Sequence, residues 1–144
     1  KMDVNAQVMI NFSNGAQGMF WTNVIAKGGV YGLKIRIFGS KGSIEWIQND
    51  PNYLKFNPAK GAVKLLERGF YNAEFSKNFS RIKFGHPEGY LDAFANIYKE
   101  FASSLKNKSK KRFYFPNEED GFETAKFIDA CKISSKSKKW QKIK

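Results

Sequence analysis

One histidine, His86, and one cysteine, Cys131, are all that this chain of 144 residues has of the side chains that most often bind transition metals. A zinc site takes three or four His, Cys or carboxylate ligands, so His86 has no metal set to join. A lone cysteine cannot close an internal disulfide. On an expected helix, Cys131 reads as a small apolar residue, compatible with a reducing cytoplasm. No Gly-x-Ser-x-Gly elbow occurs, which removes one hydrolase nucleophile. No Gly-x-Gly-x-x-Gly occurs either, and the pair Gly28-Gly29 is not a phosphate loop. No apolar run reaches the roughly 18 residues of a membrane helix, and no charged-then-apolar leader opens the sequence. Acidic residues are scarce too, 13 against 25 basic, for a net charge of +12.

A charge this large attracts nucleic acid or an anionic membrane through its long-range field. The kind of charge argues otherwise. Only four of the basic residues are arginine (Arg36, Arg68, Arg81 and Arg112), whereas reading phosphates and bases favours the arginine fork. The lysines gather in two tracts, 106–112 and 132–144, at or beyond expected helix ends, where positive charge complements the helix dipole. A solvated basic surface is the reading, with neither nucleic acid nor membrane as partner.

What the chain does have is apolar and aromatic material. Hydrophobic residues make up 42% and aromatics 16%, with 14 phenylalanines, which excludes a disordered chain. At 144 residues, one domain spanning 1–144 can bury a core without covalent staples.

The first half alternates. Val4, Ala6, Val8, Ile10 and Phe12 interleave with polar residues, the pattern of a half-buried strand. Ser13-Asn14-Gly15 then supplies a hairpin turn. Further strands follow at 19–26, 33–37, 44–47, 53–56 and 62–66, separated by Gly28-Gly29, Gly39–Gly42 and Asn49-Asp50-Pro51-Asn52.

The second half changes period. Leu91, Phe94, Tyr98, Phe101 and Leu105 recur at steps of three and four, so a helix from Pro87 to about Leu105 carries one apolar stripe. Glu88 is expected at its positive end. Asn117 before Glu118, Glu119 and Asp120 is an N-cap signal for a second helix reaching about Ser135. Sheet first and helices after give the fold class: α+β, a predominantly antiparallel open-faced sheet of about six strands with two main helices on one face. The other face stays uncovered. Phe20, Trp21 and Trp46 cannot all point at two helices, so that face reads either as a partner surface or as ordinary core packing. Residues 67–84 have no clean period and read as a substrate-covering loop or an irregular edge strand.

The most informative stretch is Gly85-His86-Pro87-Glu88-Gly89-Tyr90, which sets the only histidine on a turn that runs into Ala93-Phe94-Ala95-Asn96-Ile97-Tyr98. It resembles the C-terminal domain of the Gfo/Idh/MocA oxidoreductases, the family of glucose–fructose oxidoreductase and inositol dehydrogenase. The likeness continues, in order, through Asn14-Gly15-Ala16, Gly39-Ser40-Lys41-Gly42-Ser43-Ile44-Glu45-Trp46, Phe115-Pro116 ahead of Asp120-Gly121, and Ser134-Ser135 with Trp140.

The resemblance implies the C-terminal, substrate-binding and oligomerisation half of an NAD(P)-dependent oxidoreductase of a sugar or polyol, self-associating through the open sheet face. Family members keep the cofactor on an N-terminal Rossmann domain. They carry a catalytic Lys in a Glu-Lys-Pro motif, and an Asp and a His on a helix before the sheet; none of these is here. The expectation is therefore a piece of a longer cytoplasmic protein, lacking the Rossmann domain and neither binding NAD(P) nor catalysing by itself.

Three substrate-binding candidates follow. His86 is either a hydrogen-bonding turn residue or a substrate-contacting imidazole. Arg81 is either a surface ion-pair partner or a fork donor to a hydroxyl or carboxylate. Tyr31, between glycines, occupies the place of a substrate-contacting tyrosine in inositol dehydrogenase-like members, or is a strand-end aromatic. No catalytic, cofactor-binding or metal residue is assigned. The charge alone leaves open a basic nucleic-acid-binding module, and the open sheet face leaves open a purely structural assembly domain.

Overall fold

The computed structural model describes residues 3–29, 32–69, 77–83, 85–106 and 114–143. The chain divides into two compact units, Lys1–Gly29 with Pro116–Lys144, and Val30–Phe115. The class is α+β, with six antiparallel strands and two long helices among the described residues, as the change of period implies.

In the first unit, strands β1 (Asn5–Asn11) and β2 (Gln17–Asn23) pair antiparallel, with Met9 opposite Met19 and Gln7 opposite Trp21. Their turn is closed by the Phe12 N–H on the Ala16 carbonyl at 2.9 Å, with Gly15 at φ 86° and the Asn14 side chain accepting from the Ala16 N–H. Only glycine takes that φ without strain, so Asn14-Gly15 sets the hairpin's register. Helix α2 (Glu118–Ser137) starts at Asn117 in a full capping box. The Asn117 side chain accepts from the Glu119 and Asp120 N–H groups, and the Asp120 carboxylate accepts from the Asn117 N–H. Phe20 meets Phe127 edge-on at 6.4 Å, which joins hairpin to helix. The opposite side of the hairpin holds Met9, Met19 and Trp21, which are 64, 75 and 60% exposed.

The second unit is a four-stranded meander in the order β3 (Lys34–Gly39), β4 (Gly42–Ile47), β5 (Tyr53–Pro58) and β6 (Lys64–Glu67), with helix α1 (Tyr90–Lys106). Among the described residues, pairing runs within a two-stranded sheet in the first unit and a four-stranded sheet in the second. Registry puts Ile35, Trp46, Leu54 and Leu66 in one row and Arg36, Glu45 and Lys55 in the adjacent one. One face is therefore apolar and the other a charged ladder. The Trp46 indole, expected on an uncovered face, is half-buried and donates to the Pro51 carbonyl at 3.1 Å.

Helix α1 begins three residues later than the Pro87 signal suggests. Gly89 is its cap: the Ala93 N–H bonds the Gly89 carbonyl, and the Asp92 carboxylate reaches back to the Gly89 N–H at 3.0 Å. Asp92, not Glu88, supplies the negative charge of the first turn, because Glu88 is engaged elsewhere. The expected apolar stripe is present but open. Leu91, Tyr98 and Leu105 are 80, 69 and 65% exposed, and among the described residues no apolar side chain is fully buried. Part of the 67–84 stretch, residues 70–76 and 84, lies outside the described residues.

Candidate functional site

The His86 turn is held in place by three residues that no local periodicity marks. Asn52, in the β4–β5 connection, pairs its carboxamide with the backbone of Glu88: Nδ2 donates to the Glu88 carbonyl at 3.0 Å and Oδ1 accepts from the Glu88 N–H at 2.9 Å. Asn52 thereby substitutes for a strand neighbour over one residue. Arg68, just past β6, is fixed at its base by its own N–H on the Asn52 carbonyl at 2.7 Å.

The Arg68 guanidinium then spreads over four acceptors. Nε donates to Asn52 Oδ1 at 3.1 Å, Nη1 to the Ile82 carbonyl at 3.3 Å, and Nη2 to the His86 carbonyl at 2.6 Å. Nη1 also lies 3.1 Å from Glu88 Oε2, both side chains being largely withdrawn from solvent. Glu88 Oε1 accepts from the backbone N–H groups of Arg81 and Ile82. The planar five-donor fork is what allows one side chain to bind two carbonyls, an amide and a carboxylate together; lysine lacks that geometry. In a chain that draws most of its positive charge from lysine, the rarity of arginine was the one sequence signal for Arg68.

These bonds shape a hollow of about 270 Å³. Its walls are Asp50, Asn52 and Tyr53 on one side, Glu67 and Arg68 on another, and Gly85, His86 and Pro87 on the third. Of the three sequence candidates, His86 lines it. Arg81 does not: its guanidinium extends toward Asn96 Oδ1 at 3.5 Å, while its main-chain N–H supports Glu88. Tyr31 lies outside the described residues. Asp50 and Glu67 were not singled out by sequence, Asp50 having read only as a strand-ending turn residue. Among the described residues, no group of three or more His, Cys, Asp or Glu side chains could hold a metal ion, and no helix is long and apolar enough to cross a membrane.

A second charged cluster lies on the β3–β5 ladder. Glu45 Oε2 is 3.1 Å from Lys34 Nζ and 3.2 Å from Arg36 Nε. The hydrogen bond from Lys34, aided by the charges of Lys34, Arg36 and Lys55, holds the Glu45 carboxyl below its ordinary value.

Antiparallel strands, an amphipathic helix α1, a capped helix α2 and a polar hollow where connections meet define an α+β domain with a built turn site. The chain belongs to the oxidoreductase family, as its C-terminal alpha/beta domain, which it matches over residues 3–143. The uncharacterized oxidoreductase YfiI of Bacillus subtilis (strain 168) is 34% identical over 137 residues, covering 90% of this chain and 35% of that protein. An oxidoreductase from Sinorhizobium meliloti is 40% identical, with a TM-score of 0.88 over 95% of this chain and 40% of that one. An inositol dehydrogenase homolog from Azotobacter vinelandii, solved with NADH and myo-inositol, is 31% identical, with a TM-score of 0.85 over 92% of this chain and 37% of that one. The chain therefore spans well under half the length of these relatives.

Proposed function

We propose that this chain is the substrate-binding and self-associating part of a longer NAD(P)-dependent oxidoreductase that acts on a sugar or polyol. The observation that carries the reading is the likeness to the Azotobacter vinelandii inositol dehydrogenase homolog, whose structure holds NADH and myo-inositol. His86, Arg81 and Tyr31 are its candidate substrate contacts. The His86 turn supports the first, because a turn locked by six hydrogen bonds and an ion pair keeps an imidazole at a fixed place beside a hollow. The cofactor belongs to the rest of the protein, so this chain alone neither binds NAD(P) nor transfers hydride.

The experiment has two arms. The longer protein, given NAD or NADP and a panel of sugars and polyols, is expected to produce reduced nicotinamide absorbance with at least one of them. His86→Ala, Arg81→Ala and Tyr31→Phe in that protein are expected to lower kcat/KM. No turnover across the panel overturns the activity, and unchanged kinetics in all three variants leaves assembly as the domain's role. Separately, calorimetry of the 144-residue chain with NADH and NADPH is expected to show no binding; micromolar affinity would move the cofactor site into this chain.

A further inference from the structure

The chain is strongly basic, +12 overall, yet the hollow beside His86 is acidic. Two carboxylates, Asp50 and Glu67, stand in its wall, and no described side chain forms a hydrogen bond or ion pair with either. Among the described residues that line the hollow, Arg68 is the one lysine or arginine. Its charge is already matched by Glu88 at 3.1 Å, and its donors are committed to Asn52, Ile82 and His86. An incoming anion would meet two like charges and, among the described lining residues, an arginine whose donors are committed, an arrangement that costs affinity. The remaining wall is complementary to a ring bearing hydroxyls. The half-buried Tyr53 and the exposed Pro87 offer apolar surface for C–H faces, while the carboxylates take hydroxyl hydrogens. A volume of about 270 Å³ admits one small ring and little more.

From this chemistry we infer that the hollow binds a neutral, unphosphorylated polyol, with Glu67 and Asp50 accepting its hydroxyl hydrogens, and rejects sugar phosphates and sugar acids. This deepens the proposed function and rests on it for the substrate class, but it names residues and a charge selectivity that the reading itself does not.

Because His86 is the only histidine, its imidazole gives a single set of magnetic-resonance signals and serves as a reporter inside the wall. The chain, labelled at histidine, is titrated with myo-inositol, with an inositol monophosphate, and with glycerol as an unspecific control. The expected result is a saturable shift with myo-inositol, about tenfold weaker binding of the monophosphate, and no saturation with glycerol. Glu67→Gln is expected to weaken myo-inositol binding about tenfold, since one charged acceptor is lost, while leaving the melting midpoint near that of the parent chain. In the longer protein the same substitution should raise KM for the polyol more than it lowers kcat. Equal or tighter binding of the monophosphate overturns the charge selectivity. Glu67→Gln behaving like the parent in both titration and KM overturns the site. If the longer protein oxidises polyols while His86 never responds, the proposed function stands and this inference alone falls.

Discussion

Arg68 and Glu88, twenty positions apart in sequence, form an ion pair at 3.1 Å with side chains only 16 and 9% exposed. Such a pair gains little over an apolar replacement of both partners, but losing one partner leaves a charge without compensation. Glu88→Ala is therefore expected to destabilise the chain by about 3 kcal/mol, and Arg68→Ala by a similar amount. Denaturant unfolding of the two single variants and the double variant tests this. The double variant should lose less than the sum, because the residues share one network. Strict additivity would refute the coupling.

Gly42 faces a different constraint. It sits at φ 143°, and a Cβ there would lie 2.4 Å from the Asn57 carbonyl oxygen on the neighbouring strand. Gly42→Ala is expected to cost about 2 kcal/mol or more, through backbone strain and the displaced β5 strand. Gly15→Ala, at φ 86° with open space around it, carries only the strain and should cost about 1 kcal/mol. Thermal or urea midpoints of the two variants should rank in that order.

The contrast between those glycines and the His86 site shows what a sequence displays. Asn14-Gly15, Gly39–Gly42 and Asn117 ahead of three acidic residues act within a few positions, so their chemistry is readable where it stands. The start of α1 was misplaced at Pro87 because Glu88 answers to Arg68 and to the Arg81 and Ile82 backbone instead of to the helix dipole. Asn52 bonds a residue 36 positions away, and nothing local separates that role from an ordinary turn asparagine. Strand pairing is less legible than strand position, since alternation records which residues share a face and not which strand lies alongside. Of the site, His86 was legible as the sole histidine on a turn; the acidic wall formed by Asp50 and Glu67 depends on tertiary placement.

Acid should act on the charged ladder through Glu45. Its carboxyl is held below the ordinary value by the Lys34 hydrogen bond and the surrounding cations, so the folded state keeps it ionised at lower pH than the unfolded chain does. That contribution is fully present above the unfolded value of about 4.3 and is lost as pH falls through the depressed folded value. Glu45→Gln is expected to flatten the fall in the urea midpoint over this acid window and to leave Lys34, Arg36 and Lys55 repelling one another at neutral pH. Added salt should shrink both effects, because the pair is partly exposed. An unchanged acid slope in the variant would show that other carboxylates set the acid limit.

Self-association offers the sharpest separation from the nucleic-acid alternative. The outer side of the β1–β2 hairpin carries Met9, Met19 and Trp21, all more than half exposed, and it is the face through which the proposed self-association is expected to run. A specific pairing buries about 800 Å² per partner. Two chains of +12 repel each other at low ionic strength, and screening shortens that repulsion to a Debye length of about 8 Å at physiological salt. Dimerisation should therefore strengthen as salt rises, whereas nucleic-acid binding weakens steeply. Sedimentation at low and moderate salt is expected to show a monomer-to-dimer shift, and Met19→Lys, which places a charge opposite Met9, should abolish it. A monomer under both conditions at high micromolar protein would remove the hairpin face as a self-association surface of this chain.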